Sequence, residues 1–275
     1  MLFAISLMVF IAVLAFFAGR KITRCTAQHQ QILILLLCIA LAMAYVLLAR
    51  DSAWQIMCMP FTNTIVYGKW LFIIASFLAG LLSSSSIIRP LSRLILIPAM
   101  LLVGSMDFGE YILFPKPPIG NIVIDSIIGQ SSDATCSPAA CATFLRLYHV
   151  QVLEKDMVEA CLTTKNGTPN QGIWRALKMN VPDGYKVSVS HFRDYNSLPF
   201  PLLVNLKLEK SVYNSNRYHG QWGWKPGVPH TVVLLGRADN GKLLVADPAT
   251  GMDLWDYQIL DVLWDKFGFY FERDD

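Results

Sequence analysis

The chain has 275 residues, of which 54% are hydrophobic and 16% are charged, and its formal net charge is +3. That charge is modest, and no stripe of Lys or Arg is interleaved with aromatic residues, so we expect no nucleic-acid partner. The sequence has no phosphate-binding glycine loop followed by Lys-Ser or Lys-Thr, and no Cys and His spacing typical of metal ligands. We therefore expect neither a cofactor nor a metal.

Four predominantly apolar segments occupy the first part of the chain. They are Met1 to Ala18, Ile32 to Leu48, Trp70 to Leu82 with an extension to Ile88, and Leu94 to Val103 with an extension towards Phe114. The first three have about the length that a helix needs to cross roughly 30 Å of hydrocarbon. The fourth is weaker, because Asp107 and Glu110 interrupt its second half, and it either ends early or runs along the interface. Residues 1–116 are predicted to form an all-α bundle of about four transmembrane helices in the lipid bilayer, with buried helices of a soluble protein as the weaker alternative.

Positive residues predict how these segments are oriented. Arg20, Lys21 and Arg24 follow the first segment, and Arg89 and Arg93 lie between the third and the fourth, so both groups are expected in the cytoplasm. No charged region precedes the first apolar stretch, which favours a retained anchor over a cleaved signal peptide. A multi-pass membrane protein with four spans would have its C-terminal domain outside the cytoplasm, and this is our prediction; with three spans the domain would be cytoplasmic.

A cysteine stands at the start of a predicted helix. Cys136 precedes Pro138, which suits the first turn of a helix, and the run Ala139 to Tyr148 is helix-favouring. A thiol at the positive end of a helix dipole has a lowered pKa, and the backbone N–H groups there can bind an oxyanion. Gln130, six residues upstream, could add a side-chain amide. The alternative is a small, buried and inert cysteine.

A histidine and an aspartate flank a predicted hairpin. The apolar runs Thr231 to Leu235 and Leu243 to Ala246 are separated by the turn signal Asp239-Asn240-Gly241, and His230 and Asp247 lie at their outer ends. A cysteine nucleophile needs an imidazole as base, and the imidazole needs a carboxylate or amide to orient it. These residues therefore supply a complete set of residue types for a Cys-His-Asp site.

The register of this hairpin decides whether the histidine and the aspartate meet. A four-residue loop, Arg237 to Asn240, would place His230 directly opposite Asp247. A two-residue Asn240-Gly241 turn would instead set Asp247 opposite Leu234, roughly 13 Å along the strand from His230. That second register would separate the pair unless a bulge corrected it.

Two further features leave alternatives open. Cys141 and Cys161 lie on or near successive predicted helices, and either a disulfide or a pair of buried thiols fits them. The loop from Tyr213 to Gly227 is rich in aromatic residues and leads to His230, so it could bind a peptide, cover a cleft, or pack at the domain surface or the bilayer interface. Its aromatic residues are Tyr213, Tyr218, Trp222 and Trp224. Three other histidines of the C-terminal half, His149, His191 and His219, have no comparable acidic partner in sequence.

Several blocks of residues together resemble the C39-type cysteine peptidases, a branch of the papain-like fold. The blocks are Gln130 with Cys136-Ser-Pro-Ala-Ala, Asn166 to Leu177, Leu198 to Val204, Pro229-His230, and Ala246-Asp247-Pro248-Ala249. The resemblance covers about residues 122–271 and implies an α+β, papain-like peptidase domain over 117–275. It implies Cys136 as nucleophile, His230 as general base and acid, Asp247 as the group that orients the imidazole, and Gln130 in the oxyanion hole. One departure is Ser137, where the family has glycine, and we expect it to crowd the backbone beside the nucleophile.

The function expected from these features is that of a membrane-anchored cysteine peptidase. It would hydrolyse a peptide bond in a secreted or membrane-delivered precursor peptide, at a cleft between a helical part, Cys136 to about Met179, and a strand-rich part, about Lys186 to Phe271. The resemblance implies cleavage after small residues, often a double glycine. The alternatives are a non-catalytic papain-like module that binds peptides or a membrane protein partner, and an enzyme that transfers the acyl group to an amine.

Overall fold

The computed structural model describes residues 1–49, 53–86, 88–120, 122–209 and 225–274. The chain divides into two units, Met1–Phe114 and Pro115–Asp275, each with its own internal contacts. The four aromatic residues that the sequence singled out in the loop before His230, together with His219, lie outside the described residues.

The first unit is helical throughout its regular structure. Its α-helices are α1 (Leu2–Cys25), α2 (Gln28–Ala44), α3 (Trp54–Cys58), α4 (Thr64–Tyr67), α5 (Trp70–Ser84) and α6 (Pro90–Leu113), and a π-helical turn, Tyr45–Ala49, continues α2. Many large apolar side chains of α1, α2 and α6 are exposed, as expected for helices whose apolar faces contact lipid.

Within the described residues, three helical stretches are long and apolar enough to cross a membrane: Leu2–Cys25, Gln28–Ala49 and Thr64–Ser84. The fourth predicted segment forms α6, whose apolar part, Pro90–Met106, is shorter. The predicted extension of the third segment to Ile88 is wrong, because α5 ends at Ser84 and residue Ser85 has an extended backbone. Pro90 opens the next helix, which is where the fixed φ of proline is tolerated.

Glycines allow α1 and α5 to pack at very short range. A side-chain carbon added at Gly80 would lie 2.0 Å from the carbonyl oxygen of Phe16, and one added at Gly19 would lie 2.3 Å from that of Phe77. Small residues at helix interfaces let backbones approach closely, and this packing contributes much of helix association in membranes. Among the described glycines of the helices in this unit, those between α1 and α5 have the shortest distances to a neighbouring helix backbone.

The second unit combines helices with an antiparallel sheet. Its helices are α7 (Cys136–Arg146), α8 (Glu154–Ala160), α9 (Asn170–Asn180) and α10 (Tyr257–Leu263). A short hairpin pairs β1 (Val123–Ile124) with β2 (Ile127–Ile128), and the six-stranded sheet has the order β3-β8-β4-β5-β6-β7. Its strands are β3 (Tyr185–His191), β4 (Leu202–Lys207), β5 (Pro229–Arg237), β6 (Leu243–Asp247), β7 (Gly251–Trp255) and β8 (Trp264–Arg273). The predicted order of a helical part followed by a strand-rich part is thus confirmed.

The α7 helix is buried against the sheet. Ala139, Ala140, Cys141 and Ala142 are all 0% exposed, and the helix contacts β5 extensively. Small side chains on consecutive positions let a helix lie close to a sheet, and burial of its apolar surface stabilises the unit. The residue at the start of α7 is therefore held at a fixed distance from the residues of β5.

The β5–β6 hairpin has a register that lies between the two considered from sequence, and both of those were wrong. Val233 pairs with Ala246, whereas Gly236 pairs with Leu244, because a bulge shifts the register between these two pairs. The bulge arises where one strand carries an extra residue. Continued by one step, this register places Asp247 diagonally across from His230, a separation that long side chains can bridge.

Candidate active site

Cys136 is the first residue of α7. Its side chain is buried, with 8% of the residue exposed, and the preceding Thr135 has a non-helical backbone. The position at a helix N-terminus places the sulfur in the positive end of the helix dipole, which favours a thiolate. The helix prediction from Pro138 and the alanine-rich run is confirmed.

His230, on β5, is oriented by Asp247, at the end of β6. The Nε2 atom of His230 lies 2.7 Å from Oδ1 of Asp247, and the side chains are 17% and 8% exposed. The same Oδ1 accepts a hydrogen bond of 2.8 Å from the backbone N–H of Ala249. The backbone of the following turn thus holds the Asp247 carboxylate in place. Because Nε2 of His230 is bound to Asp247, Nδ1 is the ring nitrogen that remains for another partner.

His230 also forms a hydrogen bond with the thiol of Cys136, and Nδ1 is the ring nitrogen left for it. Burial lowers the pKa of His230, but hydrogen bonds to Asp247 and Cys136 and the negative charge on both outweigh it and raise the pKa to about 10. Burial raises the pKa of Cys136, but the hydrogen bond and positive charge of His230, with the backbone N–H of Thr231, outweigh it and lower the pKa below its ordinary value. A lowered thiol pKa beside a raised imidazole pKa favours a thiolate–imidazolium pair, which the hydrogen bond and the opposite charges stabilise.

A second cysteine on the same helix behaves in the opposite way. Cys141 and Cys161 are both completely buried and carry free thiols, so the structure has the pair of buried thiols rather than a disulfide. Burial, followed by the hydrogen bond with Cys161, raises the pKa of Cys141 well above its ordinary value. Two cysteines five positions apart in α7 are therefore chemically distinct, and only Cys136 of this helix has an imidazole beside it.

Gln130 lies on the wall of an open cleft. The cleft has a volume of about 610 Å³, and Gln130, His230 and Asp247 contribute to its lining. The backbone N–H of Gln130 donates to the carbonyl of Pro248 at 2.8 Å, which joins the Gln130 loop to the turn that follows Asp247. The Oε1 atom of Gln130 is buried and makes no hydrogen bond to the described residues. This oxygen can only accept a hydrogen bond, so the atom of the Gln130 amide that could bind an oxyanion is Nε2.

The cleft also has an apolar part and an ion pair at its rim. Val228, Met252 and Ile259 contribute apolar surface to the lining. Lys225 and Asp133 form an ion pair of 3.6 Å, and both side chains are mostly exposed. Exposed pairs of this kind contribute about 0–1 kcal/mol. The cleft therefore combines apolar contact area with a few polar groups, as expected for a site that binds an organic chain.

The sequence did not reveal a chain of hydrogen-bonded polar side chains that begins next to the cysteine and the histidine, with two buried members and two half-buried ones. Ser137 Oγ lies 2.7 Å from Thr231 Oγ1, and Thr231 in turn donates to Oδ1 of Asn205. The side-chain amide of Asn205 donates to Oδ1 of Asn170, at the start of α9. Ser137 was expected to crowd the backbone beside Cys136, but its hydroxyl is buried and hydrogen-bonded instead. Only the positions of Ser137 and Thr231, each directly after a reactive residue, could have pointed to this chain of bonds.

A buried carboxylate fixes the loop that carries Gln130. Glu154, on α8, is 2% exposed and accepts hydrogen bonds from the backbone N–H of Ser131, at 2.8 Å, and from the Ser131 hydroxyl. The N–H of Ser131 is shared with the hydroxyl of Thr135 at 3.0 Å. Charged acceptors make stronger hydrogen bonds than neutral ones, so the backbone next to Gln130 is firmly held.

Two other histidines of the second unit, His149 and His191, have surroundings different from those of His230. His149 follows α7 with a positive φ of 64°, and the ring of His191 packs 5.1 Å from the ring of Phe267. Among the described residues, no group of three or more His, Cys, Asp or Glu side chains has the arrangement of a metal site.

Comparison with known proteins gives matches to solved structures only. No protein-family model and no curated protein matches this sequence. Similar structures include the peptidase domain of Streptococcus ComA, a bi-functional ABC transporter involved in quorum sensing (19% identity, 54% of this chain and 98% of that domain, TM-score 0.42). Another is a double-glycine-motif protease from an AMS/PCAT transporter in complex with its leader peptide (16% identity, 56% of this chain and 94% of that chain, TM-score 0.42). The peptidase domain of Streptococcus mutans ComA is also similar (19% identity, 53% and 98% coverage, TM-score 0.37).

Proposed function

We propose that the chain is a membrane-anchored cysteine peptidase of papain-like architecture that hydrolyses a peptide bond through the thiol of Cys136. The observation that carries this proposal is the placement of the His230 ring. Its Nε2 lies 2.7 Å from Asp247, and a hydrogen bond between His230 and the buried Cys136 thiol supports a role for its other nitrogen as the base. A thiol on a helix N-terminus and an imidazole on a facing strand are the components of a nucleophile–base pair.

The first half of the reaction forms a thioester. The Cys136 thiolate attacks the carbonyl carbon of the substrate, and the carbonyl oxygen becomes an oxyanion. The imidazolium of His230 then donates its Nδ1 proton to the leaving amine as the carbon–nitrogen bond breaks. The acyl group remains bound to sulfur, and the amine product departs with the proton.

The second half releases the acyl group to water. Neutral His230 accepts a proton from water, whose oxygen attacks the thioester carbonyl, and the carbon–sulfur bond breaks to regenerate the Cys136 thiolate. Asp247 keeps its negative charge throughout, holds the ring in one orientation, and stabilises the imidazolium whenever it forms.

The oxyanion would be held by two kinds of N–H donor. One kind would be the backbone N–H groups at the start of α7, where Cys136 lies, and the other would be the side-chain amide of Gln130, which lines the cleft together with His230. Donors that are already in place stabilise the charge that develops in the transition state, and removal of one such donor typically costs about 10²–10³ in kcat.

Membrane anchoring follows from the first unit. Three helical stretches that could cross a bilayer precede the site, and α6 would be a fourth. With four crossings and the positive groups around Arg20 and Arg89 in the cytoplasm, the peptidase unit lies on the extracytoplasmic side. The substrate would then be a peptide or protein delivered at the membrane, such as a secreted precursor, and a membrane protein partner would deliver it.

Cleavage of a peptide library by the purified full chain in detergent tests the enzymatic proposal. Mass spectrometry of the products identifies the cleaved bonds, and added amine acceptors distinguish hydrolysis from acyl transfer. Cys136→Ala is expected to abolish cleavage, whereas Cys141→Ala, on the same helix, is expected to retain it because its thiol is buried and pairs with Cys161. Cleavage that survives in Cys136→Ala would refute the proposal, and binding of peptides without any cleavage would favour a binding module.

A further inference from the structure

We propose that the side chains of Ser137 and Thr231 form a hydroxyl bridge that fixes the separation between the Cys136 sulfur and the His230 ring. In this inference, which rests on the proposed function, both are positioning residues for the nucleophile–base pair. The two hydroxyl oxygens are 2.7 Å apart and belong to residues that follow Cys136 and His230 directly in the chain.

The bridge joins two rigid elements at the point where the pair meets. Ser137 lies in the first turn of α7 and is 3% exposed, and Thr231 lies near the start of β5 and is 1% exposed. Consecutive Cα atoms are separated by a fixed distance of about 3.8 Å, so a bond between neighbours of Cys136 and His230 restrains the reactive residues themselves. The Cys136 thiol itself is hydrogen-bonded to His230 and to the backbone N–H of Thr231, so the hydroxyl bridge acts beside these contacts, whereas the buried side chains of Ala139 and Ala140 can supply only apolar contacts.

The order of donors shows how Ser137 acts. Thr231 donates its only hydroxyl hydrogen to Asn205, whose own amide donates to Asn170. The Thr231 oxygen must therefore accept the hydrogen of Ser137. The Ser137 hydroxyl also lies 4.0 Å from the Cys136 sulfur, and this long contact is the smallest of the influences that lower the pKa of Cys136; with its hydrogen directed at Thr231, Ser137 acts chiefly through position.

The bridge is anchored beyond the two residues that form it. Through Asn205, on β4, and Asn170, at the start of α9, the same line of bonds reaches a second strand and a second helix. Buried polar groups that are all satisfied specify one arrangement of the surrounding elements, whereas a broken member leaves its neighbours without partners. Loss of either hydroxyl is thus expected to loosen the Cys136–His230 contact without removing any reactive atom.

Alkylation of Cys136 as a function of pH tests the bridge without requiring a known substrate. The full chain in detergent is treated with a thiol reagent, and the modification of Cys136 is followed by mass spectrometry. Thr231→Val and Ser137→Ala are each expected to slow alkylation near pH 7 by about tenfold and to move the pH profile upwards by about one unit, since the imidazolium no longer sits at bonding distance. The double variant is expected to be no slower than either single one, because both changes break the same bond.

Two control variants separate positioning from general stability. Thr231→Ser keeps the hydroxyl and is expected to restore the wild-type profile. Thr163→Val removes a hydroxyl from a similar buried pair, in which Thr163 and Thr168 are 2.7 Å apart, away from the site, and is expected to leave the profile unchanged. Circular dichroism and thermal melting show whether each variant is folded. If Thr231→Val does not fold, Thr231→Ala takes its place, because it removes the same hydroxyl, whereas Ser137→Ala also removes the 4.0 Å contact with the Cys136 sulfur.

The possible results distinguish the bridge from the function on which it rests. Wild-type profiles in both Ser137→Ala and Thr231→Val, additive losses in the double variant, or a Thr231→Ser variant as slow as Thr231→Val would overturn the bridge alone. A wild-type Cys136 that is alkylated like an ordinary thiol would overturn the proposed function and the bridge together.

Discussion

Substitution of Asp247 by asparagine tests the electrostatic basis of the site. Asparagine has nearly the same shape as aspartate, and the backbone N–H of Ala249, which donates to Oδ1 at 2.8 Å, would hold its amide oxygen in place. The hydrogen bond to Nε2 of His230 can therefore persist while the negative charge is lost. The change removes charge with little effect on geometry.

The structure sets the size of the expected effect. The pKa of His230 is raised to about 10 against the opposing effect of burial, and Asp247 is one of the two groups that raise it. An opposite charge in direct contact typically moves a pKa by about 1–3 units, and each unit corresponds to about 1.4 kcal/mol. Removing the anion destabilises the imidazolium, so the basic limb of the pH–rate profile of Asp247→Asn is expected to move down by about 1–3 pH units.

The acid limb of the pH–rate profile, which reports ionisation of the Cys136 thiol, is expected to move in the opposite direction. An imidazole that is less readily protonated stabilises the Cys136 thiolate less, so the acid limb moves up and the active pH range narrows from both sides. At pH 7 to 8, kcat/KM would fall by roughly 10- to 100-fold. Steady-state kinetics between pH 5 and 11, with a peptide identified by library cleavage, measure both limbs.

Asp253 provides the matched control for this substitution. It lines the same cleft, but its carboxylate binds the indole N–H of Trp255 at 2.9 Å rather than an imidazole. Asp253→Asn is expected to leave both limbs where they are. An unchanged basic limb in Asp247→Asn, or equal shifts in the two variants, would refute the reasoning.

Three further predictions concern the oxyanion donor, the helix contact and the topology. Gln130→Ala is expected to lower kcat by about 10²–10³ with little change in KM, measured by steady-state kinetics, and a rise in KM alone would contradict an oxyanion role. Gly80→Ala should lower the thermal midpoint of unfolding in detergent, because the added carbon would lie 2.0 Å from the carbonyl oxygen of Phe16. Gly236→Ala is the control and should not lower it, because the space around Gly236 is open. Equal midpoints in the two variants would contradict close α1–α5 packing. Protease added outside intact spheroplasts should remove a C-terminal tag, and a tag that is cleaved only after detergent is added would place the peptidase unit in the cytoplasm.

The helical and apolar parts of the fold followed well from sequence. Apolar length predicted the membrane-type helices because a span must satisfy its backbone bonds internally over a fixed thickness. The helix that begins at Cys136 followed from Pro138 and the alanines after it. The extension of the third segment to Ile88 failed because apolar composition does not mark where a helix ends, and in this chain it ends before Pro90.

The details of the site followed less well, because they depend on contacts between residues far apart in sequence. The residue types at 230 and 247 predicted a contact, and the side chains do meet, but neither proposed hairpin register was right, since a bulge cannot be read from a turn signal alone. The bond between Ser137 and Thr231 joins residues 94 positions apart. Such a pair becomes visible only when α7 is packed on β5, so sequence reasoning treated Ser137 only as a departure from a glycine.

The most direct test of the account compares three cysteines in one experiment. The wild-type chain and His230→Ala are alkylated across a range of pH values, and the modification of Cys136, Cys141 and Cys161 is measured separately by mass spectrometry. The account predicts rapid, pH-dependent modification of Cys136 near neutral pH, loss of that reactivity in His230→Ala, and little modification of the two buried thiols in either protein. Equal modification of all three cysteines, or a Cys136 whose reactivity is the same without the imidazole, would contradict it.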